Sequence, residues 1–130
     1  MKKAFIREEA RCYFIPFLLG DNSTSHHLSK RIFRKYGIIS LILDTKGSFA
    51  DIWDFSCKFI KLSPSDNQSL TLLQLIDISR EFPTAMPILI PCSKEYETFT
   101  QLFEKELESV FALSSKELLF ETSPLKIIPS

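Results

Sequence analysis

Two apolar runs, Cys12-Tyr-Phe-Ile-Pro-Phe-Leu-Leu19 and Ile38-Ile-Ser-Leu-Ile-Leu43, restrict the fold of this chain more than any other feature. Both are too short for a helix of ordinary length, and both are mostly apolar at odd and even positions alike. A strand with one wet face alternates, whereas a strand apolar on both sides belongs inside a sheet covered on both faces, the usual setting of parallel strands. Gly20 stops the first run and Asp44-Thr-Lys-Gly47 the second. Pro16 cannot donate to a ladder, so it is expected at a bulge or near the strand start. The first run, Cys12–Leu19, is expected at the centre of the sheet.

Between the two runs lies Gly20-Asp-Asn-Ser-Thr-Ser25, a cluster of turn formers and N-cap residues. Leu28, Ile32, Phe33 and Tyr36 then recur at helical spacing, and Gly37 stands where a left-handed C-cap belongs. This is a strand–helix–strand unit, whose crossover is right-handed in nearly all proteins. The stretch 48–63 keeps no single period, although Phe59–Leu62 reads as a short strand. A helix capped by Ser69 is expected to run through Arg80, with Leu72, Leu73, Leu75 and Ile76 inward. Pro83 and Pro87 bracket a loop before the strand Ile88–Ile90. Ser93 opens a further helix with Phe99, Leu102, Phe103 and Leu107 on its apolar face. Val110–Leu113 reads as a fifth strand, and Ser114 with Glu117 as a capping box for one more helical segment.

Strands alternating with helices predict an α/β fold: a doubly wound, mainly parallel five-stranded sheet with helices on both faces, Rossmann-like. At 130 residues the chain is one domain. Residues 1–11 read as an N-terminal extension, 12–120 as the α/β domain and 121–130 as a C-terminal tail. The apolar segment Leu118–Phe120 with Leu125, Ile127 and Ile128 predicts bare surface and self-association.

Charge and cysteine content exclude whole classes of function. Sixteen basic and sixteen acidic residues leave no net charge, so no nucleic-acid footprint is expected. The densest basic cluster, Lys30, Arg31, Arg34 and Lys35, reads as a solvated helix face. Cys12, Cys57 and Cys92 are odd in number and far apart, which suits small buried hydrophobes in a reducing compartment. No segment reaches the roughly 20 apolar residues that span a bilayer. A cytoplasmic protein without membrane contact is expected.

In an open parallel sheet, ligands sit beyond the carboxyl ends of the strands, against helix N-termini. The loops at that edge nominate Gly20, Asp21, Asn22 and Ser23 after the first strand, and Ser93, Lys94 and Glu95 after the fourth, as substrate-binding residues. A single glycine is not a GxGxxG, and Asp21 opposes a phosphate. His26 and His27 diverge by about 100° on a helix, and they are expected at the surface or at the helix cap. Trp53, with Phe49 and Phe55, is expected in the core or over a sheet edge. No residue set supplies a nucleophile with its base, a metal site or a phosphate loop, so no catalytic residue, no metal and no cofactor is assigned to this chain.

Three segments together resemble a known family. Pro16-Phe-Leu-Leu-Gly-Asp-Asn-Ser-Thr-Ser25, the helix ending Lys35-Tyr36-Gly37-Ile38, and Ile90-Pro-Cys-Ser-Lys-Glu-Tyr96 are similar to the N-terminal, pre-ATP-grasp domain of ATP-grasp carboxylate–amine ligases. The D-aspartate ligases and carbamoyl-phosphate-synthase-like proteins are the nearest in pattern. The family often has Gly-Gly where this chain has Gly20-Asp21. The resemblance implies a substrate-side domain for a small amino acid or carboxylate, inactive without its ATP-grasp catalytic domain in cis or in trans. ATP and Mg2+ are implied for that partner, not for this chain. A stand-alone doubly wound interaction or small-molecule-binding module is the alternative.

Overall fold

The computed structural model describes residues 14–64 and 66–115. Five strands form one sheet: β1 (Phe14–Leu19), β2 (Ser40–Asp44), β3 (Cys57–Lys61), β4 (Met86–Pro91) and β5 (Ala112–Leu113). Five helices connect them: α1 (Ser23–Tyr36) and α2 (Ala50–Trp53) before β3, then α3 (Gln68–Ser79), α4 (Lys94–Leu102) and α5 (Glu104–Glu108). The order across the sheet is β3-β2-β1-β4-β5, and every neighbouring pair is parallel. β1 is central, as its two-sided apolar pattern predicts.

Alternation along β1 divides the core in two. Ile15, Phe17 and Leu19 join Leu41, Leu43 and Leu89 beneath Leu72 and Leu75 of α3, Phe99 of α4 and Leu107 of α5. Phe14 and Leu18 join Ile42, Ile88 and Ile90 on the other face, beneath Leu28 and Ile32 of α1. Phe17, Leu18 and Leu19 are completely buried, and each such side chain contributes roughly 1.5–3 kcal/mol relative to exposure. The sheet is therefore doubly wound, with helices on both faces.

The ends of α1 follow local chemistry. Asn22 caps the amino end in a reciprocal box with Ser25, and Gly37 closes the carboxyl end at φ 69°, with its N–H on Phe33 O. Pro16 pairs with Ile88 without a bulge, and the pairing of β1 with β2 begins only at Phe17, so the missing donor falls near the strand start.

Several expectations need correction. Pro87 lies inside β4, opposite Ile15, rather than in the preceding loop. Asn67, not Ser69, caps α3, accepting from Ser69 N. Leu73 and Leu102 point to solvent, while Leu72, Leu75, Phe99 and Leu107 carry the apolar faces. Phe49, Trp53 and Phe55 are 83%, 75% and 87% exposed, so they are not core. The helix between β2 and β3 is a single turn of four residues, and its Asp51 and C-cap Asp54 face inward. The N-terminal extension, the capping box at Glu117 and the apolar tail lie outside the described residues.

Candidate functional site

Strand order reverses between β1 and β4, and the loops after these strands lie together at the carboxyl edge, the place where open parallel sheets take their ligands. Gly20 occupies φ +111°, a conformation that side chains rarely adopt. A Cβ there would lie 3.5 Å from Asn22 Nδ2 and the Tyr96 ring and 3.6 Å from Ser93 Oγ, so two loops seventy residues apart in sequence meet over it. Asn22 Nδ2 donates to Cys92 O at 3.1 Å, and Cys92 N to Leu19 O at 2.8 Å. Ser93 Oγ accepts from Tyr96 N at the start of α4, so the amino ends of α1 and α4 lie at the same edge of the sheet.

Asp44, at the end of β2, ties this edge together. Its carboxylate accepts from Asp21 N at 2.8 Å, Thr45 N at 2.7 Å and the Tyr96 hydroxyl at 3.1 Å. Burial, and then the negative charge of Asp44, push the Tyr96 phenol above its ordinary range. Of the nominated residues, Gly20, Asn22 and Ser93 lie together, whereas Ser23, Lys94 and Glu95 are exposed. Asp21 gives its N–H to this edge and turns its side chain into a second cluster.

That cluster lies between the first turn of α1 and the connection from β2 to β3. His26 Nε2 is 2.9 Å from Asp21 Oδ1 and 3.0 Å from Asp51 Oδ1, and Nδ1 is 2.6 Å from Asp54 Oδ2. The imidazole is only 6% exposed, which corrects the expectation of a surface or capping histidine; His27 next to it is exposed, as the helical angle requires. Asp54 accepts in turn from the backbone and hydroxyl of Ser56, and Ser56 shares a 2.8 Å hydrogen bond with Ser29. Gly47 makes room, since a Cβ there would strike Asp51 Oδ2 at 2.9 Å.

The electrostatics follow from these contacts. Burial pushes Asp54 up, but the Ser56 and His26 hydrogen bonds outweigh it and bring its pKa down to about 2. Burial opposes charge on His26 as well, yet Asp54 and Asp21 raise its pKa on balance. Asp21 is raised by burial and by the neighbouring Asp51 carboxyl. Burial and the Asp54 charge push the Cys57 thiol up to about 12, leaving it without thiolate character at neutral pH. Both hydrogen-bond partners of His26 Nε2 among the described residues are carboxylates, and Ser29 Oγ bonds the His26 carbonyl instead. The cluster therefore has a base and its orienting carboxylate but no nucleophile set against it.

Two sets of donor atoms lie close enough to share a cation: Asp21, His26 and Asp51, and His26, Asp54 and Cys57. The second would take Nδ1 away from its 2.6 Å hydrogen bond with Asp54. Nothing in the local sequence pattern marks His26, and Asp51 and Asp54 fall in a stretch that keeps no single period. What misleads is the habit of placing the aromatic side inward.

Comparison of the chain with protein-family models, with curated proteins and with solved structures finds no match. Among the described residues no helix is long and apolar enough to cross a membrane.

Proposed function

We propose that this chain is the substrate-side domain of an ATP-grasp carboxylate–amine ligase, and that the loops at this edge take a small amino acid or carboxylate. One observation carries the reading. The segments that resemble the family, around Gly20-Asp21-Asn22 and Cys92-Ser93-Lys94-Glu95-Tyr96, come together at the point where strand order reverses. The amino ends of α1 and α4 offer partial positive charge there, suited to a carboxylate. ATP and Mg2+ belong to the ATP-grasp core, in cis or in trans, and the chain alone is not an enzyme. A cytoplasmic setting agrees with Cys57 and Cys92 being free thiols.

The test is an amide NMR titration of the chain with single amino acids and small dicarboxylates, and separately with ATP and Mg2+. Shifts confined to Gly20, Asn22, Ser93 and Tyr96 are expected from one of the carboxylates, with no tight response to ATP. An ATP dissociation constant in the low micromolar range, about −8 kcal/mol, or carboxylate shifts that avoid these loops, would overturn the reading.

A further inference from the structure

We propose that His26 Nε2, Asp21 Oδ1 and Asp51 Oδ1 bind one divalent transition-metal ion of the Mn2+, Fe2+ or Co2+ class. The orientation of the imidazole comes first. Asp54, held by Ser56, accepts the Nδ1 proton at 2.6 Å, which is the arrangement that fixes the tautomer of a ligating histidine and aims Nε2 at the ion. Nε2 then faces two carboxylate oxygens at 2.9 and 3.0 Å. These two separations match the edge of about 3.0 Å in an octahedron with bonds of about 2.1 Å, and all three donor atoms lie within 4.8 Å of one another.

A second observation, independent of the cluster's shape, points to a cation. The Asp21 side chain is 0% exposed, and its Oδ2 is buried without any hydrogen-bond partner. Buried carboxylate oxygens are ordinarily satisfied: Oδ1 faces His26 and accepts from Ser48 Oγ at 3.0 Å, whereas Oδ2 has no donor, and an ion held by the carboxylate through both oxygens would satisfy it. Among the described residues the ion pairs of Asp21, Asp51 and Asp54 all run to His26, which leaves three carboxylates against one imidazole. One nitrogen with two carboxylate oxygens favours a first-row transition ion over Ca2+ or Mg2+, which prefer oxygen alone. The three donors come from the loop after β1, from α1 and from α2, so the ion would clip the connection between β2 and β3 to the first turn of α1.

The chain, freed of metal by chelator and dialysis, is titrated with Mn2+ while the ring signals of its two histidines are followed by NMR. Paramagnetic broadening of the His26 ring that begins below one equivalent and is complete at one equivalent is expected, together with a rise in thermal midpoint. Asp21→Asn and Asp51→Asn should each weaken binding at least tenfold. Asp54→Asn should weaken it roughly 10–100-fold, through lost orientation of the imidazole. Asp77→Asn, on the exposed side of α3, should leave it unchanged. Broadening of His27 alone, no broadening of His26 at millimolar Mn2+, or equal affinity in folded Asp21→Asn and Asp51→Asn would overturn the proposal. An imidazolium balancing the carboxylates without metal is then the surviving account. Should the variants fail to fold, the wild-type broadening pattern decides alone.

Discussion

Tyr96 donates its hydroxyl to Asp44 from the first turn of α4, half-buried between two loops. Because burial and the Asp44 charge raise its pKa, the folded chain holds this proton more tightly than the unfolded chain does. The resulting stability is complete below the unfolded phenol value of about 10 and is lost as pH rises through the folded value. Thermal unfolding between about pH 8 and pH 11 should therefore show a falling midpoint at the alkaline end, with a shallower fall in Tyr96→Phe. Identical slopes in the two proteins would mean that the contact with Asp44 is not made. His26 teaches a related lesson at this scale. Its type and position suited a surface residue, and three carboxylates from other parts of the chain made it a buried one.

Helix α3 shows what an element's sequence can and cannot say. Its apolar residues Leu70, Leu72, Leu73, Leu75, Ile76 and Ile78 surround the axis, so periodicity leaves the inward face open. The sheet chooses: Leu75 is fully buried and Leu73 is 55% exposed. Leu75→Ala should cost about 2–5 kcal/mol in denaturant unfolding, the usual range for a buried leucine. Leu73→Ala should stay within about 0.5 kcal/mol. Comparable losses at both positions would mean that the helix is rotated from the orientation described. In α1 the pattern was decisive, because Asn22, Ser25 and Gly37 act on backbone groups a few residues away and need no tertiary partner.

Taken whole, the molecule presents Phe49, Ile52, Trp53 and Phe55 to solvent on the outer side of the connection between β2 and β3. Where such exposed apolar side chains join into one patch, they mark an interaction site or an aggregation liability. Trp53 is the chain's single tryptophan, so its emission should be red-shifted and readily quenched by acrylamide in dilute solution. Trp53→Ser and Phe55→Ser should change stability by no more than about 0.5 kcal/mol. A blue-shifted, shielded emission in the dilute monomer would place Trp53 back in the core. The chain's sequence by itself determined the α/β class, the parallel sheet with the strand Phe14–Leu19 at its centre, both ends of α1 and the loops around Gly20 and Ser93. Those features rest on two-faced apolar strands and on capping side chains, whose physics is complete within a few residues. The strand order, the outward aromatic side of α2 and the meeting of Asp21, His26, Asp51 and Asp54 were decided only in three dimensions. They depend on how a short crossover lies beside α1, where burial and charge join residues that no local pattern connects.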